Sequence, residues 1–317
     1  MSSNPLEVID VSLKDAATAS LLVQAASSQG FLFVKGHGFS AEEVAALFDV
    51  SKQFFAQDRE QKDKLAMDKS NFGYQYGVES LALNAVPDPK ETLNMDPLNI
   101  PDIEGKHKLE SAVTKLQDLA LTIHRAFAVG LEIDESAGGA AYFDSKYAKD
   151  KPLGLVFRFL HYPGQQLLNP SEQIRAGAHT DYGSITLLFQ QKNQEGLEIY
   201  SPVSKKWQAV PFIDADNDDE APPIIVNVGD QLSYWTAGYL RLTIHRVKFP
   251  ESVQRTGQDR YSIVYFCHPD DDTLLEPIPS RVIEARGNTR GANSAKETLT
   301  AKQHLLNRLS ATYGWQY

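Results

Sequence analysis

The sequence predicts a mainly β protein with α additions, a double-stranded β-helix (jelly-roll) core flanked by helices, and three observations carry that reading. From Leu155 onward, short apolar and β-branched runs alternate with turn residues, the spacing of a double-sheet jelly roll. Ahead of it, two long segments repeat apolar residues every three or four positions, as helices do. In 317 residues, 42% hydrophobic content with 10% aromatic is ample for one buried core. Residues 1–150 are read as a mixed α/β support region packed on a catalytic core over 151–317, the whole forming one integrated domain.

The elements follow in chain order. Strands are expected near Glu7 to Asp10 and Phe31 to Lys35. Ser40 starts a helix, because Ser40 and Glu43 form a capping box and Val44, Leu47, Phe48, Phe54 and Phe55 recur at helical spacing, which makes those aromatics core. The longest helix spans Lys106 to Val129, with Leu109, Val113, Leu116, Ala120, Ile123 and Phe127 on one face and Gly130 as a stop. Strands are then predicted at Leu155 to His161, Ser184 to Gln190, Leu197 to Tyr200, Trp207 to Val210, Ile224 to Val228, Thr243 to Phe249 and Tyr261 to Cys267. The acidic run Asp214 to Glu220 lacks the turn glycine and final glutamate of a calcium loop, so it reads as a solvated excursion. Ala285 to Ser294 reads as an exposed loop, and Thr300 with Gln303 caps a last helix carrying Leu305, Leu306 and Leu309.

The chemistry concentrates in Gly177-Ala178-His179-Thr180-Asp181-Tyr182-Gly183 and in His245 of Arg241-Leu-Thr-Ile-His245. Residues two apart on a strand share a face, so His179 and Asp181 can grip one ion together while His245 arrives from another strand. Two imidazoles and one carboxylate form the facial triad that suits iron(II) and leaves coordination positions open. His37, His107, His124 and His304 have no such surroundings and are assigned to structure. In Asp259-Arg260-Tyr261-Ser262 an arginine fork and a hydroxyl share a strand face, an arrangement that holds a carboxylate in bidentate fashion.

With these motifs the chain resembles the iron(II) and 2-oxoglutarate-dependent dioxygenases, in the branch of isopenicillin N synthase. Val8-Ile9-Asp10, Gly30 to Gly38, Phe54-Phe55, Lys90-Glu91, Phe157 to Pro163 and Gly196-Leu197-Glu198-Ile199 stand in that family's order, so the resemblance covers nearly the whole chain. It implies Fe(II), 2-oxoglutarate and dioxygen, with release of succinate and CO2 as a small-molecule metabolite is hydroxylated or desaturated. By the same resemblance His179, Asp181 and His245 bind iron, Arg260 and Ser262 hold the distal carboxylate of 2-oxoglutarate, and Tyr162 helps there. Phe266 is expected against the primary substrate, with His268 and Arg158 as further candidates. Tyr74, Tyr76 and Trp235 would make the pocket partly aromatic, and the segment 71–77 or the carboxyl-terminal tail would act as a lid. Two departures stand out: Leu160 where many relatives have asparagine, and an extended interval at 250–258, read as a surface hairpin. The alternatives are an iron oxidase of the same branch that does not use 2-oxoglutarate, and a non-catalytic metal-binding protein of this fold.

A net charge of −10 argues against a nucleic-acid partner, since phosphate recognition needs a surplus of lysine and arginine. The single cysteine, Cys267, excludes an internal disulfide framework. With neither a charged-then-apolar leader nor a long apolar run, the chain is expected to be soluble and cytoplasmic, without a membrane partner, as a monomer or weak homo-oligomer. A dinucleotide-binding glycine motif, a serine elbow and a cysteine-histidine pair are all missing.

Overall fold

Strand pairing in the computed structural model, which describes residues 4–77, 90–147, 154–164, 174–248, 257–287 and 298–313, builds two sheets face to face. In chain order the elements are β1 (Val8–Asp10), α1 (Ala16–Ser28), β2 (Phe31–Lys35), α2 (Ala41–Phe55), α3 (Arg59–Asp63), β3 (Gly73–Tyr76), β4 (Glu91–Met95) and α4 (Lys106–Gly130). After short 3-10 turns come β5 (Val156–Tyr162), β6 (Ile174–His179), β7 (Ile185–Phe189), β8 (Leu197–Tyr200), β9 (Trp207–Ala209) and β10 (Ile224–Val228). The chain closes with α5 (Asp230–Trp235), β11 (His245–Lys248), β12 (Arg260–Cys267), α6 (Arg281–Ala285) and α7 (Ala301–Tyr313). The larger sheet runs β1-β2-β10-β7-β12-β5-β4-β3 and the smaller β6-β11-β8-β9. Only the β1–β2 pairing is parallel among those described.

Period-two alternation gives each face of the larger sheet a separate task. On β12, Ile263, Tyr265 and Cys267 point into the main core, as do Phe157 and Phe159 of β5, and helices α1, α2 and α4 cover that side. The other face meets the smaller sheet through Leu160, Tyr162 and Val264 against Ala176 and Val247, and through Phe31, Phe33 and Ile225 against Leu197 and Ile199. A double-sheet β core flanked by helices is therefore what the chain forms, with a polar site buried in the space between the sheets.

The helix signals have local causes. Ser40 accepts from the Glu43 backbone while Glu43 accepts from the Ser40 backbone, completing the capping box, worth about 1 kcal/mol. Thr300 and Gln303 make the same reciprocal pair ahead of α7. Gly130 differs from expectation: it is the last helical residue of α4, and a Cβ there would meet the Ala19 carbonyl oxygen of α1 at 2.5 Å. Its role is close helix packing. The strand expected at Thr243 to Phe249 is shorter, His245–Lys248, and α1, α3, β3, β4, β6, α5 and α6 were not anticipated. The acidic run is exposed at Asp214, Asp216, Asp218 and Asp219, and pairs with Lys192 and Lys35. Most of the extended interval at 250–258 and of the loop to Ser294 lies outside the described residues. Among those described, no helix is long and apolar enough to cross a membrane, and Cys267 is a buried free thiol.

Candidate active site

Antiparallel pairing of β6 and β11 sets His245 directly opposite His179, with ring centroids 4.3 Å apart. Asp181 is not on the strand: β6 ends at His179, and Asp181 lies in the turn leading to β7. Contacts rather than the pleat therefore aim its carboxylate. Its Oδ2 accepts hydrogen bonds from Thr186 Oγ1 at 2.6 Å and Asn227 Nδ2 at 2.8 Å. Oδ1 is left facing the Nε2 atoms of His179 and His245, at 3.8 and 3.6 Å.

Each imidazole is fixed from behind. His179 Nδ1 lies 2.7 Å from the Gly177 carbonyl and His245 Nδ1 3.3 Å from that of Thr243. A carbonyl only accepts, so the proton sits on Nδ1 and the Nε2 lone pair points inward. Burial and the neighbouring His245 push His179 down to about 3, keeping it a neutral donor. Burial disfavours charge on Asp181 too, but His245, which that carboxylate raises above its ordinary value, outweighs it and holds the carboxyl far below its usual range. Once a metal takes the place of the His245 proton, two neutral nitrogens and one carboxylate oxygen, all within 4.8 Å of one another, are the donor set of an open-sided site for a first-row divalent metal and fit iron.

Below the triad, register on β5 and β12 sets Tyr162 opposite Arg260 and Leu160 opposite Ser262. Arg260 is only 1% exposed, yet its Nε donates to the Gln194 carbonyl at 2.9 Å, Nη1 reaches Ser262 Oγ at 3.3 Å, and the guanidinium lies 5.1 Å from the Tyr162 ring centre. Gly196 makes room for this arrangement: at φ 152°, a Cβ would come within 2.8 Å of the Lys248 carbonyl and 3.6 Å of Arg260 Nε.

Two chambers that share lining residues flank the triad, of about 70 and 100 Å³. The inner one is lined by His179, Asp181, His245, Arg260, Ser262 and Tyr162, with Lys90, Leu188 and Val264 among its other walls. The outer one is lined by His179, Asp181, Arg158, Phe266 and His268, and by Leu305 and Leu309 of α7. Arg158 and Phe266 line both. Three aromatic expectations are corrected. Tyr74 is 3% exposed, packs on Phe54 and donates to Glu91; Tyr76 is 44% exposed beside Arg59; Trp235 is buried against Phe143. None of the three lines either chamber. Sequence reasoning missed Thr186, Asn227 and Gln194. Asn227 had one signal, a lone amide in the otherwise apolar run Ile224-Ile-Val-Asn-Val228.

Comparison with known proteins agrees. Residues 153–269 match the 2OG-Fe(II) oxygenase superfamily, and residues 6–113 match the amino-terminal region described as non-haem dioxygenase in morphine synthesis. Homoarginine-6-hydroxylase 2-ODD-C23 of Glycine max is 30% identical over 84% of this chain and 82% of its own length. The 2-oxoglutarate-dependent dioxygenase tropC of Talaromyces stipitatus is 27% identical over 92% of this chain and 87% of its own. The crystal structure of a full-length Neurospora crassa protein in complex with alpha-KG and thymine superposes with a TM-score of 0.77 at 29% identity, covering 97% of both chains. The chain belongs to the 2OG-Fe(II) oxygenase superfamily and is a 2-oxoglutarate-dependent, non-haem iron(II) dioxygenase.

Proposed function

We propose that His179, Asp181 and His245 hold the iron(II), that Arg260 and Ser262 grip the distal carboxylate of 2-oxoglutarate beside Tyr162, and that the enzyme hydroxylates a small molecule seated in the outer chamber. The observation that carries this reading is the convergence of three donor atoms within 4.8 Å on a chamber whose lining also holds a buried arginine-serine pair. When bound, the metal and cosubstrate supply dioxygen activation coupled to decarboxylation, which yields succinate and CO2 and oxidises the substrate.

The chain's own residues do the rest. The Gly177 and Thr243 carbonyls keep protons on Nδ1, and Thr186 and Asn227 hold the Asp181 carboxylate in one orientation. Arg260, anchored by Gln194, presents a pre-aimed fork. Leu160, Leu188, Val247 and Val264 wall the chamber with apolar surface that keeps water from the reacting centre. The thymine complex of the Neurospora crassa protein and the name of the Glycine max relative support a small polar metabolite as substrate. The net charge of −10 supports the absence of a nucleic-acid partner; a cytoplasmic setting without a membrane partner, as a monomer or weak homo-oligomer, is part of the same proposal.

Anaerobic titration of the iron(II)-loaded protein with 2-oxoglutarate tests the assignment. A weak visible charge-transfer band should develop in the wild type and be lost in His179→Ala. Iron binding without a band would overturn the cosubstrate assignment, and an unchanged band in His179→Ala would overturn the ligand set.

A further inference from the structure

Phe266 and His268 stand two residues apart where β12 ends, and both line the outer chamber. Phe266 pairs with Thr186, the residue that holds the Asp181 carboxylate, so this end of the strand lies at the triad. The alternation that turns Phe266 toward the chamber turns His268 the same way. Around them the wall is apolar, from Val156, Leu305 and Leu309.

His268 is 6% exposed, and its Nδ1 has no hydrogen-bond partner among the described residues. Two polar neighbours in the same lining are held by the protein: Arg158 Nε donates to Asn94 Oδ1 at 2.6 Å, and Thr180 Oγ1 accepts from Arg308 Nη2 at 3.4 Å. Two glycines fix the ring of His268. A Cβ at Gly183, in the turn after Asp181, would stand 2.9 Å from Nε2, and one at Gly154 would stand 3.4 Å from Nδ1. The imidazole fills the slot they leave, and Gly154, itself part of the lining, contributes no side chain to cover Nδ1. Burial first, with His304 nearby, holds the ring down at about 4, so at neutral pH it carries one donor, one acceptor and no charge. A buried polar atom without a partner costs folding free energy, so its retention in the wall of a binding chamber points to a bond made with the ligand.

We infer that His268 is a specificity-determining residue, which hydrogen-bonds a neutral hydroxyl or amide on a small substrate whose planar or apolar body lies against Phe266 and the leucines of α7. The inference rests on the proposed division of the site, with 2-oxoglutarate in the inner chamber and the substrate in the outer one. A charged group brought against His268 would gain no counter-charge from it and would lose its hydration.

The test is anaerobic equilibrium dialysis of the full-length protein loaded with iron(II) and 2-oxoglutarate. The probes are thymine and 4-methylphenol, each beside an apolar isostere, 2,4-difluorotoluene and 4-fluorotoluene, with benzoate as the charged comparison. At least one polar probe should bind about tenfold or more tightly than its isostere, since a site that hydrogen-bonds its substrate rejects the analogue lacking that group. His268→Leu should erase the preference by weakening the polar probe alone, and His268→Gln, which restores a donor and an acceptor, should recover part of it. Both variants should hold 2-oxoglutarate within about twofold of wild type, which also shows that they fold. Free His268→Leu protein should unfold at the wild-type temperature or above it, because an apolar side chain replaces an unpartnered polar one. A lower unfolding temperature with the preference intact would make the imidazole structural and overturn the inference. So would polar probes that bind no better than their isosteres, or benzoate bound more tightly than either neutral probe. A His268→Leu variant that loses 2-oxoglutarate as much as it loses the probe would move His268 to the cosubstrate, which overturns the inference equally. If wild-type protein with iron does not bind 2-oxoglutarate, the cosubstrate assignment fails first, before any probe is added, and this inference falls with it; normal 2-oxoglutarate binding without a probe preference sinks this inference alone.

Discussion

Asp181 Oδ2 accepts hydrogen bonds from two side chains buried on neighbouring strands, Thr186 on β7 and Asn227 on β10. Neither touches the proposed metal position, but each removes an orientation in which the carboxylate would turn away from the imidazoles. Asn227→Leu should therefore lower iron(II) affinity by roughly 10–100-fold, the usual cost of losing such a partner, as read by chelator competition. An unchanged affinity would mean that the turn alone positions Asp181. Arg260→Ala should leave iron affinity intact and weaken 2-oxoglutarate binding by roughly 2–5 kcal/mol, because the cosubstrate carboxylate would then be buried without its partner. Titration of the charge-transfer band measures this, and a wild-type dissociation constant would remove Arg260 from the site. The triad and the Arg260–Ser262 pair, the proposed ligands and cosubstrate grip, could be singled out because each lies in a short motif whose residue types carry the chemistry, and the triad's side chains do converge. The groups that orient them could not, since Asn227 and Gln194 are brought to Asp181 and Arg260 only by the pairing of distant strands. Tyr74, Tyr76 and Trp235 were misplaced because aromatic identity does not say which face of an element a ring occupies.

Helix α4 carries a glycine at its last position whose purpose is seen only in packing. In an exposed helix, replacing glycine by alanine gains up to ~1 kcal/mol of propensity. At Gly130 the added Cβ would press on the Ala19 carbonyl oxygen at 2.5 Å and on Val23 Cγ2 at 2.6 Å, both of α1. The backbone oxygen cannot rotate away, so Gly130→Ala should destabilise the protein by roughly 1–3 kcal/mol, the cost of overpacking. Chemical denaturation measures it, and a gain in stability would show that α1 and α4 can separate freely. Element identity was largely readable elsewhere: both capping boxes form, and β7, β8, β9, β10 and β12 lie within about two residues of their expected bounds, the ordinary uncertainty of element ends. The strand that carries His179 was not readable. Ile174-Arg-Ala-Gly-Ala-His179 has few branched apolar side chains, and it becomes a strand because β11 supplies its hydrogen-bond ladder.

Across the whole molecule, β1 to β4 complete the same eight-stranded sheet that holds β5, β7, β10 and β12, so the two halves of the chain share backbone hydrogen bonds. A buried polar cluster adds to that junction. Glu91 of β4 accepts from Lys62 of α3 at 2.8 Å and from Tyr74 of β3 at 3.0 Å, while His161 of β5 stands 3.7 Å away and stacks on Tyr261 at 4.6 Å. Burial alone would raise the Glu91 carboxyl, but His161 and Lys62 outweigh it and hold the group down at about 2. A carboxyl whose folded pKa lies below its unfolded value of 4.5 stabilises the fold fully above pH 4.5, and that contribution drains away as pH falls toward 2. The size of the shift sets a ceiling of roughly 3 kcal/mol. Glu91→Gln should accordingly lower stability at pH 7 and flatten the decline in unfolding free energy between about pH 4.5 and 2, since the glutamine has no proton to take up. If both halves form one cooperative unit, tryptophan fluorescence and far-ultraviolet circular dichroism should report a single coincident transition throughout. An acid limb equally steep in Glu91→Gln would assign the loss to other carboxylates, and separate transitions for the two probes would mean that the shared sheet does not couple the halves.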